Sequence, residues 1–175
     1  SYPLIAQVNL FKNQPLSLEP NLAGSFGELR NHHFHSGVDL RTQGKIGQPV
    51  LAVQDGYLKR LVAKPNGFGM ALYIAHPSGH TSVYAHLDRF IDTFQDLIIK
   101  TSFKRKSNRL DLSFSANDYP VSAGDTIGWS GNSGSSSGPH LHFEWRDSRN
   151  EEPLNPVEYG LDIGKDQVEP KILSV

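Results

Sequence analysis

The stretch Gly138-Pro139-His140-Leu141-His142-Phe143-Glu144 decides how the rest of the chain is read. In an extended strand successive side chains alternate between faces, so His140 and His142 share one surface while Leu141 and Phe143 lie on the other. Two imidazoles therefore have an apolar anchor behind them. Imidazole nitrogens bind borderline metals at about 2.1 Å. Two histidines spaced this way either both reach one ion or divide the work, one on the ion and the other on its water. The pair alone leaves both arrangements open, and an isolated His-x-His is more often a surface strand with two solvated rings.

A second constellation, His35-Ser36-Gly37-Val38-Asp39, changes that balance. Its imidazole and carboxylate sit in a turn that enters the strand-like Val38 to Leu40. Both are zinc ligands, and one further imidazole would complete a three-ligand set that leaves a position for water, the mark of catalytic rather than structural zinc. On its own such a pair is more often a hydrogen-bonded loop contact, because short patterns recur by chance. A third element, Ser82-Val83-Tyr84-Ala85-His86-Leu87, ends a strand on another histidine. Taken singly, His86 reads as an ordinary hydrogen-bonding residue; with the other two elements it reads as part of one site.

The remaining sequence bounds what such a site can belong to. A chain of 175 residues holds one domain with a proper core, or one domain carrying an insertion. With 37% hydrophobic and 20% charged residues, a formal net charge of -1 and a pI near 6.7, nothing points to nucleic acid. The absence of cysteine removes disulfides, thiolate metal sites and a cysteine nucleophile. No apolar run is long enough to span a bilayer and no signal peptide opens the chain. Ser1 in place of methionine fits either a removed leader or a start inside a longer chain, so the missing signal is no evidence for the cytoplasm.

In chain order, residues 1–21 are rich in Pro, Asn and Leu without a clean period and read as an extended arm over the body. Short β runs follow at Pro49 to Val53, Gly56 to Val62, Met70 to His76 and Thr81 to His86, with hairpin turns expected at Asp55-Gly56 and Ser78-Gly79. From Asp88 to Val121 the period changes. Phe90, Ile91, Phe94, Leu97 and Ile98 fall at helical spacing, the basic stretch Lys104 to Arg109 follows, and Leu110, Leu112 and Phe114 alternate like a strand. This block, about 89–120, reads as a helix-containing insertion. β structure resumes at Thr126 to Ser130 and Leu141 to Arg146 across the Gly/Ser loop Gly131 to Gly138, and Asn155-Pro156 reads as a capped helical turn. The expected fold is mostly β, an antiparallel meander.

The motifs His35-Ser-Gly-Val-Asp39, Gly47-Gln-Pro-Val-Leu-Ala-Val-Gln-Asp-Gly56, Val83-Tyr-Ala-His-Leu87, Gly124-Asp-Thr-Ile-Gly128 and Gly134-Ser-Ser-Ser-Gly-Pro-His-Leu-His-Phe-Glu144 together resemble the lysostaphin/LytM-type zinc metallopeptidases. The agreement is collinear over 22–161, interrupted by the insertion. The resemblance implies a sandwich-like antiparallel domain with an active-site groove, and cleavage of peptide cross-links in bacterial peptidoglycan as substrate. It implies one Zn2+ ion held by His35, Asp39 and His142, with His86 and His140 as the catalytic pair. It also implies an extracytoplasmic setting: periplasmic, cell-envelope associated or secreted. Phe26-Gly27-Glu28-Leu29 and the long insert are similar to a branch found in Gram-negative Bacteroidetes-type bacteria.

Some relatives place a tyrosine shortly before the first zinc histidine, and Ser25 to Phe34 contains none. His32 and His33 lack an aspartate four positions on and are not read as ligands; His76 and His80 flank a turn and read as solvated. An inactive relative acting as scaffold or activator of another hydrolase is the alternative function; such proteins usually lack one or more of the five positions, and all five are present here. Residues 162–175 read as an extension, with Glu169 to Val175 the start of a further strand.

Overall fold

The computed structural model describes residues 9–30, 33–116 and 118–164. Its strands are β1 (Leu22–Gly24), β2 (Val38–Arg41), β3 (Pro49–Leu51), β4 (Gly56–Ala63), β5 (Met70–Ala75), β6 (His80–Ala85), β7 (Leu87–Phe90), β8 (Leu110–Ser113), β9 (Pro120–Val121), β10 (Thr126–Ser130), β11 (His140–Asp147) and β12 (Pro153–Leu154). One helix, α1 (Asp92–Arg105), lies between β7 and β8, and a 3-10 turn, Pro156–Tyr159, follows β12. Its pairings are all antiparallel. The larger sheet runs β1-β2-β11-β6-β5-β4-β8, with β12 on β11 and β9 on β4; β3-β10-β7 form a second sheet.

Strand alternation explains how two faces arise from one sheet. Leu141, Phe143 and Trp145 of β11, Tyr84 of β6, Leu72 and Ile74 of β5, and Leu58 and Leu61 of β4 share a core with Val50, Leu87, Phe90 and Ile127 of the small sheet. The intervening residues Val62, Ala71, Tyr73, Val83 and Ala85 make a smaller cluster on the opposite face, with Phe68 against it. Phe11 from the segment 9–21 enters the main core, its ring 4.8 Å from that of Trp145 and 5.7 Å from that of Phe143. Backbone bonds from Lys12 to Val53 (2.9 Å) and from Leu51 to Pro15 (3.0 Å) fix that segment in place.

The Ser78-Gly79 turn joins β5 to β6 as a hairpin, with Ala75 opposite Thr81. The Asp55-Gly56 turn does not: β3 and β4 belong to different sheets, so the chain crosses from one to the other here. The glycine answers a different need, since a Cβ at position 56 would collide with the carbonyl oxygen of Ala75. At the other end of the chain Asn155 caps its turn as expected, Oδ1 accepting from the Val157 N–H at 3.3 Å.

The helix-bearing block is tied into both sheets. Phe90 belongs to β7 and pairs with Gly128 of β10, and β8 extends the β4 edge with Leu61 opposite Leu112. Helix α1 begins at Asp92, and its inward residues Phe94 and Ile98 sit in the main core. The expected strand at Glu169 to Val175 lies outside the described residues.

Candidate metal centre

Register brings the three sequence elements together. β2 and β11 pair with Asp39 opposite His142 and Arg41 opposite His140, while β6 on the other side of β11 places Ala85 opposite His142. His86 follows at once, turned by a left-handed backbone (φ 59) that a non-glycine residue adopts only when held there. Its N–H donates to the Phe68 carbonyl at 3.0 Å and its carbonyl accepts from Ser133 N at 3.4 Å, which holds it. The glycine of His35-Ser-Gly-Val-Asp39 allows β2 to start against β11, because a Cβ on Gly37 would meet the Phe143 carbonyl oxygen and lie 2.7 Å from Glu144 Cγ. His35, Asp39, His86, His140 and His142 all line one groove, with Phe68 and Ser135 to Ser137 on its walls.

Three acceptor atoms converge. His35 Nε2 lies 3.0 Å from His142 Nδ1 and 3.1 Å from Asp39 Oδ1, and His142 Nδ1 lies 3.0 Å from Asp39 Oδ1. The outer nitrogens settle the tautomers. His35 Nδ1–H donates to the Ser25 carbonyl at 2.8 Å and His142 Nε2–H donates to Glu144 Oε1 at 2.9 Å, so the inner nitrogen of each neutral ring is a bare lone pair. Two lone pairs and a carboxylate oxygen 3 Å apart repel unless a positive charge sits between them. The edges of a tetrahedron with ligands at about 2.1 Å are about 3.4 Å, so the triangle fits one face of a four-coordinate metal.

The same geometry acts on protonation. Burial opposes the charge on Asp39, yet the surrounding imidazoles hold it far below the usual carboxylate range; burial likewise opposes a charged His142, yet Asp39 and Glu144 outweigh it and raise that ring. Both shifts mean that the cluster attracts positive charge. His140 and His86 complete the rim in the same orientation. Their Nδ1–H groups donate to the Gly138 and Ser133 carbonyls, each at 2.8 Å, so Nε2 is the remaining nitrogen of each ring; that of His140 lies 3.5 Å from Asp39 Oδ1, within ion-pair reach. Burial pushes His86 down to about 4, so its ring is neutral at neutral pH.

The match to the family model for peptidase family M23 covers residues 33–100 and 108–156, which hold all five groove residues. The chain belongs to peptidase family M23. Within that family's reach, a DD-carboxypeptidase/endopeptidase Mpg of Neisseria meningitidis is 32% identical over 76% of the chain and 24% of its own length. Lysostaphin of Staphylococcus simulans is 30% identical over 65% of the chain and 18% of its own length. The chain thus spans about a quarter or less of the curated relatives named here. Among solved structures, the catalytic domain of that lysostaphin superposes with a TM-score of 0.54 at 26% identity, covering 80% of this chain and 87% of that one. The catalytic domain of EnpA from Enterococcus faecalis shares the fold at 23% identity and TM-score 0.59, covering 89% of this chain and 98% of that one.

An M23 chain with this groove has supporting residues that motif reading passed over. Glu144 is fully buried, binds His142 Nε2–H, accepts from the Ser36 hydroxyl and is bonded at 2.5 Å by Arg146. Burial would raise its carboxyl, but the bonds from His142 and the charge of Arg146 keep it low. Its signal was available, since it lies two positions after His142 and so on the same strand face. Arg30 Nη2 bonds the second oxygen of Asp39 at 2.8 Å, and Phe68 lies against the His142 ring with centroids 5.0 Å apart; neither position carries a sequence signal. His33 lines the groove without joining the triangle, while His32 lies outside the described residues.

His76 corrects the expectation of a solvated ring. It is buried, stacked on Trp145 with centroids 5.2 Å apart, and bonded through Nδ1 to the Asp55 carbonyl at 2.9 Å and through Nε2 to Ser82 Oγ at 2.7 Å. His80 is partly buried against the same Trp145, 5.0 Å from its ring centroid.

Proposed function

We propose that the chain is a zinc-dependent endopeptidase that hydrolyses peptide cross-links of bacterial peptidoglycan. The observation that carries this reading is the convergence of His35 Nε2, Asp39 Oδ1 and His142 Nδ1 within about 3 Å of one another, beside the two further imidazoles of His86 and His140. Those three residues are the proposed ligands of one Zn2+ ion, and His86 and His140 the proposed catalytic pair. Zinc held there supplies Lewis acidity toward a peptide carbonyl and toward water.

The chain's own residues do the rest. Glu144 and the Ser25 carbonyl orient the ligand rings, Arg30 holds the outer oxygen of Asp39, and the Phe68 ring beside His142 shields one side from solvent. Among the described residues the carboxylate lining the groove is Asp39, a proposed ligand, so proton movement falls to imidazoles. Of His86 and His140, one would accept the proton of the attacking water at Nε2; the other can donate from Nε2 to the oxyanion only as an imidazolium, because its Nδ1–H is already given to a backbone carbonyl, and those carbonyl bonds fix both rings. The mixed apolar and hydroxyl-bearing walls, Leu29, Phe68 and Ser135 to Ser137, suit a short peptide without a large charged side chain. That setting is extracytoplasmic, where the substrate is.

Digestion of purified peptidoglycan with mass analysis of the fragments tests the reading. New free amino groups without new reducing ends are expected, lost on chelation and restored by zinc. Intact peptides after incubation with the zinc-loaded chain would favour a scaffold instead.

A further inference from the structure

The basic stretch that follows the helix plays no part in the groove. Residues 100–109 carry Lys100, Lys104, Arg105, Lys106 and Arg109 and no acidic residue, a local charge of +5 in a chain whose formal net charge is -1. Among the described residues, Lys100 alone of the five is in an ion pair, with Asp96 at 3.0 Å. Two of the cations, Lys104 and Arg105, stand in the last turn of α1 where they complement the helix dipole, but Lys106 and Arg109 lie beyond it.

Apolar side chains protrude through this charge. Phe103 is 79% exposed and Ile99 43% exposed, one helical turn apart on the side of α1 opposite the buried Phe94 and Ile98. The helix ends on a left-handed Lys106 whose N–H bonds the Phe103 carbonyl at 3.3 Å, and Ser107 N–H bonds the Ser102 carbonyl at 3.2 Å, which caps the backbone that carries them. Leu110, buried in β8, anchors the far side. An exposed Phe held at the crest of a cationic helix end is the pattern of a segment that dips an aromatic ring between lipids while its lysines meet anionic headgroups.

We infer that the C-terminal end of α1, with Phe103 and Ile99 as the inserted pair and Lys104, Arg105, Lys106 and Arg109 as the headgroup contacts, docks the domain on the surface of an anionic lipid bilayer. A protein partner fits less well: a stable protein interface needs roughly 800 Å² from each side, and a single convex helix end with two apolar residues does not present it. A soluble polyanion would use the cations and leave Phe103 without a purpose. The contact is peripheral, as no helix among the described residues is long and apolar enough to cross a membrane. Each basic residue at such a surface contributes on the order of a fivefold gain in partition.

Cosedimentation of the purified chain with vesicles of phosphatidylglycerol and phosphatidylethanolamine, against vesicles of phosphatidylcholine, tests the inference. Binding to the anionic vesicles only is expected, weakened by salt, reduced about fivefold or more by Phe103→Ser and at least tenfold by the triple change Lys104→Gln, Arg105→Gln, Lys106→Gln. Circular dichroism and Tm of both variants check that α1 persists, and an unfolded triple variant is replaced by single changes at Lys106 and Arg109. No binding to either vesicle overturns the inference. So does binding that follows the cations but ignores Phe103→Ser, which would mark a polyanion site.

Discussion

His76 and a cluster of four histidines sit on opposite faces of the same sheet, and what separates them is where their second nitrogens point. On one face His76 spends both nitrogens inside the protein, on the Asp55 carbonyl and on Ser82 Oγ, and stacks on Trp145. On the other, His35, His86, His140 and His142 each give one N–H to a fixed acceptor and turn the remaining nitrogen toward a common space that also holds Asp39 Oδ1. His76 is as buried as His35, His86 and His142, so burial does not separate them. A closed set of hydrogen bonds makes a packing residue; ring nitrogens converging on a carboxylate oxygen attract positive charge.

The largest expected effect tests whether the groove histidines really divide into two kinds. His35→Ala, Asp39→Ala and His142→Ala each remove one corner of the triangle and should yield protein without bound metal and without measurable hydrolysis. His140→Ala and His86→Ala remove groups outside the triangle, so metal should stay stoichiometric while the rate falls roughly 10²- to 10⁴-fold. Metal analysis of the five purified variants decides it. Equal metal loss from His140→Ala and His142→Ala would mean that both strand histidines bind the ion, the arrangement that the His-x-His spacing alone left open.

A smaller effect is expected one step out, at the group that aims His142. Glu144→Gln keeps an oxygen able to accept the His142 Nε2–H but removes the buried charge that favours this tautomer and balances Arg146. Metal affinity measured by competition with a chelator should weaken about 10- to 100-fold, with the fold intact by circular dichroism. Unchanged affinity would reduce Glu144 to a packing residue and blur the line between the two faces.

Much of this was legible in the sequence, for reasons that can be named. Alternation placed His140 and His142 opposite Leu141 and Phe143, and burial of Leu141 and Phe143 in the core follows that pattern. Turn chemistry found the Ser78-Gly79 hairpin and the Asn155 cap, because both are local. The same chemistry misread Asp55-Gly56, since a turn signal does not say which sheet the next strand joins. Helical spacing located α1 but drew in Phe90, which strand pairing with Gly128 claims instead. Arg30, Phe68 and His76 were out of reach for a common reason: each gains its role from a partner far along the chain or across the sheet, Asp39, His142 and Trp145 respectively. Local pattern cannot supply those partners; only the register of β2, β11 and β6 does.

The smallest effect concerns the closed histidine, and it is read in stability rather than activity. Burial is the main cause that pushes His76 down to about 4 from an ordinary value of 6.5, with the Asp55 carbonyl only partly opposing it. The unfolded chain takes up a proton on this ring near pH 6.5 while the folded chain does not, so stability is complete above that value, falls as pH drops, and levels off below about 4. The loss from this one ring between pH 7 and pH 5 should be on the order of 2 kcal/mol. His76→Gln retains a donor and an acceptor but does not titrate, so urea unfolding of chelated wild type and variant at the two pH values isolates the term. The wild type should be the more stable at pH 7, where the ring stacks neutral on Trp145, and its advantage should shrink by about that amount at pH 5. A gap that stays constant with pH would show that His76 is hydrated or charged in the folded chain. The contrast between a closed histidine and an open site would then fail on the side where it looks simplest.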